Sequence, residues 1–128
     1  MHRTTEELKA RTKRFALDVV TLTRCMPEND ANRALGRQLL RSATSVGANY
    51  RTACRARSRA EFVARIGVVL EEADESAFWL ELFAEQPGLE ERRSRLMQLL
   101  NEANQLTAIF AATRITASRI QRAKQGGK

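Results

Sequence analysis

The sequence has little of several residue types on which common protein functions depend. Its 128 residues include one histidine, two cysteines and two prolines, and aromatic residues make up 5% of the chain. The histidine is His2, close to the start, where we expect a solvated side chain rather than a functional one. Cys25 and Cys54 are too few and too isolated for a zinc site. These counts argue against a histidine-based catalytic pair and against a metal centre built from clustered ligands.

Long apolar runs are also lacking. No stretch of about 18 uncharged apolar residues occurs, so we expect no membrane-spanning segment. The first 15 residues carry charges where a secretory signal needs an apolar centre, so we expect no export and a cytoplasmic location. The composition, 43% hydrophobic and 29% charged, indicates one folded domain over residues 1–128 rather than a disordered chain.

What the sequence does have is helical spacing of apolar residues from end to end. Leu8, Phe15 and Val19, for example, are separated by seven and four residues and share one helix face. Pro27 and Pro87 fall between the apolar stripes, as expected of a residue that interrupts helices. The pattern predicts four helices and a frayed tail, at about 5–24, 31–54, 58–84, 89–122 and 123–128. The predicted fold is therefore all-α, an antiparallel up-down-up-down four-helix bundle.

Three local features refine this prediction. Ser58 followed by Glu61 predicts a capping box at the start of the third helix. Gly47 in mid-helix predicts a close approach by another helix, since glycine there costs about 1 kcal/mol relative to alanine; local bending of the helix is the alternative. The third and fourth helices have more apolar width than one core-facing stripe requires, which predicts contacts between subunits; a thicker internal core is the alternative. We assign Phe78 and Trp79 to the core or to such an interface.

Charge is distributed unevenly along the chain. The net charge is +7, and 18 of the 22 basic residues are arginine, the side chain best suited to planar, bidentate phosphate contacts; a GC-rich genome is the alternative cause. An up-down-up-down bundle brings residues 1–15, 51–65 and 114–128 to one end, which we call the basic pole. These stretches carry +12 and the rest of the chain −5. Such an end predicts docking to a polyanion, RNA or DNA.

The candidate nucleic-acid contacts are basic side chains of this pole. They are Arg11, Arg14, Arg51, Arg55, Arg57, Arg59, Arg65, Arg119, Arg122 and Lys124. Two other interpretations remain open, a solvated charged end and a contact with an acidic protein. Tyr50, near the pole, is a weaker candidate for stacking on bases.

Other arginines are assigned to salt bridges between helices. Antiparallel pairing of the second and third helices places Arg41 opposite Glu71 and Glu72, and Arg37 opposite Glu75. Paired carboxylates can serve as acid and base or hold a metal ion. Because these acids face arginines and no histidine lies near them in the sequence, we expect no enzyme activity, no metal and no cofactor.

A set of positions within the segment 38–80 forms a family pattern: Gln38, Leu39, Arg41, Ala43, Ser45, Asn49, Arg57, Ser58, Glu61, Phe62 and Glu75. With this pattern the chain resembles the bacterial four-helix bundle family of 23S rRNA intervening-sequence proteins, and the resemblance extends over residues 15–120 in organisation. There are two departures. Gly47 stands where many members have proline, and Thr52-Ala53-Cys54 replaces a common acidic-glycine-aromatic step.

The resemblance implies a homo-oligomer, commonly a pentameric ring, with no catalytic site. The chain is also similar to the accessory variability proteins of diversity-generating retroelements, which associate with nucleic acid and a reverse transcriptase. Asn49 is expected to bond to backbone or another helix. We assign structural roles to Arg41, Ser45, Asn49, Ser58, Glu61, Phe62, Glu75 and Trp79.

The predicted function is a non-enzymatic, oligomeric helical bundle that binds RNA or DNA through its basic pole without sequence preference. The alternative is a scaffold for protein–protein interaction with no nucleic-acid role, which contacts an unknown protein through its apolar or acidic surface.

Overall fold

The computed structural model of the protein describes residues 4–126. Within this span all regular structure is helical and no strand occurs, which confirms the predicted all-α class. The elements are α1 (Thr5–Arg24), α2 (Asp30–Cys54), α3 (Arg59–Glu85), a single 3-10 turn (Glu90–Arg92) and α4 (Arg93–Gly126).

Most helix boundaries fall within one residue of the predicted ones, and the last helix is the exception. The segment expected to open it is instead the 3-10 turn, and α4 proper begins at Arg93. At the other end α4 continues to Gly126, so the predicted frayed tail was wrong for residues 123–126. Some of the predictions fall outside the described residues. They concern His2, Arg3 and the last two positions of the tail, Gly127 and Lys128.

Side chains cap the starts of three helices. Ser58 Oγ accepts from the Glu61 amide at 3.1 Å, as predicted. The Glu61 carboxylate, however, accepts from the amide of Arg57 at 3.3 Å, one residue before the position that a capping box requires. A reciprocal box is present at α1, between Thr4 and Glu7, and Asn29 caps α2.

The helices form a four-helix bundle with neighbours in sequence also neighbours in space. α3 packs along both α2 and α4, α1 packs on α2, and α1 closes the arrangement against α4. Consecutive helices are joined by short loops, which makes adjacent helices antiparallel. The core is a continuous set of apolar side chains from all four helices, among them Phe15, Leu39, Leu80, Phe83 and Phe110, each at most 1% exposed. The predicted bundle is confirmed.

The small and polar residues of α2 allow close helix approach. A Cβ atom added at Gly47 would lie 3.3 Å from Thr12 Oγ1 of α1, which confirms the predicted close approach. Ser76 Oγ of α3 lies 3.0 Å from Ser42 Oγ of α2, so two buried hydroxyls satisfy each other between the helices. Asn49 donates to the carbonyl of Ser45 at 2.9 Å, the backbone bond that was expected.

Several large apolar side chains remain exposed on the outer faces of α3 and α4. Phe78 is 50% exposed, Met97 49% and Ile115 53%. Trp79 is half-buried against the core, and its ring meets Phe78 edge-on at 5.0 Å between centroids. The surplus apolar width predicted for α3 and α4 is therefore not taken up by a thicker core. Within residues 4–126, none of the helices combines the length and the apolar character that a bilayer crossing demands.

Candidate nucleic-acid interface

The bundle brings the three basic stretches together at one end. Lys9 at the start of α1 shares a cavity with Arg51 and Arg55 at the end of α2. Arg57 and Arg59, in the turn between α2 and α3, share another with Lys124 near the end of α4. The up-down-up-down topology predicted that these basic side chains would lie at one end of the bundle, although they are up to 115 positions apart in the sequence.

Eight of the ten candidate contacts are exposed, and their charged groups have no carboxylate within 4.0 Å in the described part of the chain. They come from the end of α2, the following turn, the start of α3 and the last turns of α4. The eight, which we call the free cations, are Arg51, Arg55, Arg57, Arg59, Arg65, Arg119, Arg122 and Lys124.

The other two candidates are bound to acids. Arg11 donates from Nε and Nη2 to the two carboxylate oxygens of Glu102, at 2.8 and 2.7 Å, and this hydrogen bonding raises the pKa of Arg11. Arg14 lies 3.6 Å from Asp18, whose carboxylate is also 3.3 Å from Arg95. Arg11 therefore ties α1 to α4 as a structural contact, and Arg14 is partly neutralised.

Several concavities open at the basic pole. One, open to solvent and with a volume of about 430 Å³, lies between the α2–α3 turn and α4 and is lined by Ala56, Arg57, Ser58, Arg59, Phe62 and Lys124. Another is a smaller groove between α1 and α2, about 200 Å³, with Lys9, Lys13 and Arg51 around a floor that includes Gly47. Both are bordered by cations, and neither has an acidic residue in its lining.

Tyr50 does not take part in this surface. Its side chain is 4% exposed, and its ring lies 5.2 Å from that of Phe110 between centroids. Burial raises the pKa of Tyr50 to about 12, so the hydroxyl stays protonated at neutral pH. The proposal that Tyr50 stacks on bases was wrong, because the residue belongs to the core.

Phe62 is the residue whose position at this site the sequence interpretation missed. It was assigned a structural role, and it does pack against the core, but it is only half-buried and also lines the larger cavity. The available signal was composition, since Phe62 is the only aromatic residue in the basic stretch 51–65.

The acidic cluster on α3 is held by arginine, as expected. Arg41 donates to Glu72 at 2.9 Å and also to Glu75. The expected pairing of Arg37 with Glu75 was wrong: Arg41 binds that carboxylate, and Arg37 has no carboxylate within 4.0 Å among the described residues. Within residues 4–126, no group of three or more histidine, cysteine or acidic side chains is placed to hold a metal ion.

The environment of Glu75 yields a pH-dependent prediction. The indole N–H of Trp79 donates to Glu75 at 3.0 Å, and this bond, together with Arg41, lowers the pKa of Glu75. Trp79→Phe removes the donor, so we expect the pKa of Glu75 to rise toward its ordinary value of about 4.3. Carbon NMR titration of the carboxylate measures this change, and Phe78→Leu is the matched control that should leave it unaltered.

The sign of the linked stability change follows from the same shift. A carboxylate with a lowered pKa stabilises the folded state above its ordinary pKa, and this stabilisation is lost as the pH falls through the lowered value. Trp79→Phe should therefore reduce the difference between the unfolding free energies at neutral and acidic pH. An equal pKa in the wild type and in the Trp79→Phe variant would contradict the assignment of the indole as the main cause.

Fold and site together define a class, a small four-helix bundle protein with its unpaired basic side chains concentrated at one end. Comparison with known families narrows this class. The chain belongs to the family described as 23S rRNA-intervening sequence protein, whose family model matches residues 6–112. The resemblance drawn from segment 38–80 is thereby confirmed.

A solved structure supports the same assignment. It is described as a protein with unknown function from the S23 ribosomal protein family, from Bacteroides thetaiotaomicron VPI-5482. The two chains are 28% identical, the match covers 86% of this chain and 96% of that one, and the TM-score is 0.72. A search of curated proteins finds no match.

Proposed function

We propose that this protein is a non-enzymatic, cytoplasmic nucleic-acid-binding protein that holds RNA or DNA at its basic pole without sequence preference. The observation that carries the proposal is the set of eight free cations at one end of the bundle. Unpaired, exposed arginine and lysine side chains attract phosphate through charge and through hydrogen bonds that do not depend on the base.

The charge distribution supports a docking role over a merely solvated end. Arg57 and Arg59 flank the N-terminus of α3, where positive charge is mildly unfavourable for the helix dipole. Helix stability therefore does not account for them. By contrast, Arg51, Arg119 and Arg122 near the C-terminal ends of α2 and α4 are also favourable for their helices, so these cations alone would be weaker support.

We further propose that the protein works as a homo-oligomeric ring of five subunits. The exposed Phe78, Met97 and Ile115 on α3 and α4 are the side chains that a second copy would cover, since exposed apolar surface marks protein–protein contacts where it is contiguous. The number five comes from the family resemblance. A ring repeats the basic pole around its axis. Several weak phosphate contacts to one strand would then combine to give a higher overall affinity.

The second candidate function is a scaffold for protein partners without a nucleic-acid role. The same exposed apolar side chains would favour the scaffold if they contact another protein rather than a second copy of this chain. The two candidates differ in one observable property, because only the first requires the basic pole to bind a nucleic acid.

The test is a salt titration of binding. The purified protein is mixed with a labelled RNA, and with a labelled DNA duplex, over a series of salt concentrations. We expect measurable binding at low salt and a linear fall of log K with log salt, by about 0.9 for each phosphate contacted on a duplex. Binding that is undetectable at low salt, or that ignores salt, would refute the proposal and favour the scaffold.

A further inference from the structure

We propose that the larger cavity at the basic pole binds one unpaired nucleotide of an RNA or DNA strand, with its phosphate on the cations and its base against Phe62. The inference rests on the proposed function and specifies it. The cavity volume of about 430 Å³ lies within the range of about 300–1,000 Å³ usual for small-ligand sites.

The charged part of the cavity comes from two distant segments of the chain. Arg57 and Arg59 belong to the turn before α3, and Lys124 to the last turn of α4. The charged groups of the three have no carboxylate within 4.0 Å among the described residues, and no acidic residue lines the cavity. The Glu61 carboxylate is bound to the Arg57 amide instead. Guanidinium groups bind phosphate oxygens in pairs and lysine adds a point charge, so a phosphate is the anion that this arrangement fits.

Phe62 supplies an aromatic surface next to these cations. Phe15, Phe83 and Phe110 are at most 1% exposed, and Tyr50 is 4% exposed, so none of them can meet a ligand. Phe62 is half-buried and borders the cavity. Stacking of a base on an aromatic side chain is tolerant of base identity, which agrees with binding that lacks sequence preference.

We assign the phosphate to side chains rather than to the start of α3. The Ser58 hydroxyl already accepts from the Glu61 amide, and the Glu61 carboxylate accepts from the Arg57 amide. Two backbone donors beside the cavity, the amides of Arg57 and Glu61, therefore have partners. The phosphate would be held by side chains, and the site depends on Arg57, Arg59 and Lys124.

The other concavities of this end fit a nucleotide less well. The groove between α1 and α2 has a volume of only about 200 Å³ and no aromatic side chain. The cavity beside Arg55 includes the acidic Glu6 in its lining. The one beside Arg114 and Arg122 lies along α4 alone. Only the cavity at Phe62 combines size, unopposed positive charge and an aromatic ring among the described residues.

The proposal predicts a preference for single strands. In a duplex the bases are stacked and paired, so a base reaches Phe62 only after it leaves the stack, which costs a few kcal/mol. Duplex phosphates can still contact the outer cations. The protein should therefore bind a short oligouridine more tightly than a blunt RNA duplex of matched length at the same salt concentration.

The experiment compares three probes, labelled oligouridine, the blunt duplex and free uridine monophosphate, against the wild type and two variants. Phe62→Leu should weaken oligouridine binding about 5- to 100-fold, the range expected for one stacked base, and leave duplex binding unchanged. The matched control is Arg51→Gln, a cation of the same pole outside this cavity, which should weaken both polymer probes by the same factor.

Phe62 also contacts the core, so thermal unfolding of Phe62→Leu must be measured alongside. Should that variant fail to fold, Lys124→Gln replaces it, because Lys124 is exposed and its loss should still affect oligouridine more than the duplex. Equal affinity for oligouridine and duplex, with no loss specific to oligouridine in Phe62→Leu or Lys124→Gln, would overturn the cavity proposal and leave the proposed function standing. Uridine monophosphate that binds as tightly as oligouridine would contradict the proposed strand binding and not the cavity, and no binding of any probe would refute both.

Discussion

Reversing Arg55, Arg57 and Arg59 to glutamate is expected to weaken RNA and DNA binding on the order of 100-fold at low salt. All three are free cations of the basic pole. A unit charge at contact distance is worth about 1 kcal/mol in water, so losing three attractions costs about 3 kcal/mol, and 1.4 kcal/mol is tenfold in affinity. Repulsion from the new carboxylates adds to this loss.

The salt dependence provides a second measurement on the same variant. Each lost phosphate contact removes about 0.9 from the slope of log K against log salt for a duplex, so the slope should become shallower by two to three. The loss should be uniform across sequences, because phosphate contacts carry no base information. A change confined to particular sequences would contradict this account.

The control for net charge is the triple variant Arg24→Glu, Arg33→Glu and Arg37→Glu. These residues lie near the end of α1 and in the first half of α2, toward the opposite end of the bundle, and the variant changes the net charge by the same amount. We expect its affinity to fall by much less than that of the basic-pole variant. Equal loss in both variants would show that total charge, rather than the basic pole, determines binding.

Truncating Phe110 to alanine is expected to lower the free energy of unfolding by about 3–5 kcal/mol, the usual cost of removing a buried phenylalanine. Phe110 is fully buried and lies against Tyr50, so its loss leaves a cavity in the core between α2 and α4, near the basic pole. The total free energy of unfolding of a domain is about 5–15 kcal/mol. Urea denaturation should show a large decrease in midpoint with an unchanged slope.

The matched comparison is Phe78→Ala, which removes the same ring from an exposed position. Phe78 is 50% exposed and contacts Trp79, so in a dilute, dissociated chain the change should cost less than about 1 kcal/mol. In the proposed pentamer the Phe78 side chain is covered by a second copy of the chain. Phe78→Ala should then shift sedimentation toward smaller species. An unchanged assembly state in this variant would place the subunit interface elsewhere.

Most of the fold could be predicted from the sequence because each helix has its own apolar stripe and its own termination signals. Pro27 and Pro87 separate the stripes, and Ser58 supplies a cap. The start of α4 could not be predicted as well, since its first turn is a 3-10 segment that has the same composition as an α-helix. The end of α4 carried no signal strong enough to show that the helix continues to Gly126.

The site was predictable only as far as topology determines it. Antiparallel helices bring their ends together, which places Lys124 beside Arg57 and Arg59. Contacts between non-adjacent helices depend on rotation about the helix axes, which no stripe specifies closely. The bond from Arg11 to Glu102 was missed for this reason. The contact of Arg41 with Glu75 has a different cause, because Arg41 keeps its predicted partner Glu72 and also reaches Glu75, one helical turn further along α3.

The exposure of the free cations has a consequence for how quickly a bound strand can move. Arginine and lysine are long side chains, and these eight are exposed, so a docked strand would be held by groups that reorient without any movement of the helices. Such side chains can release one phosphate and bind the next. A strand held by one copy of the chain should therefore slide along the surface and exchange rapidly.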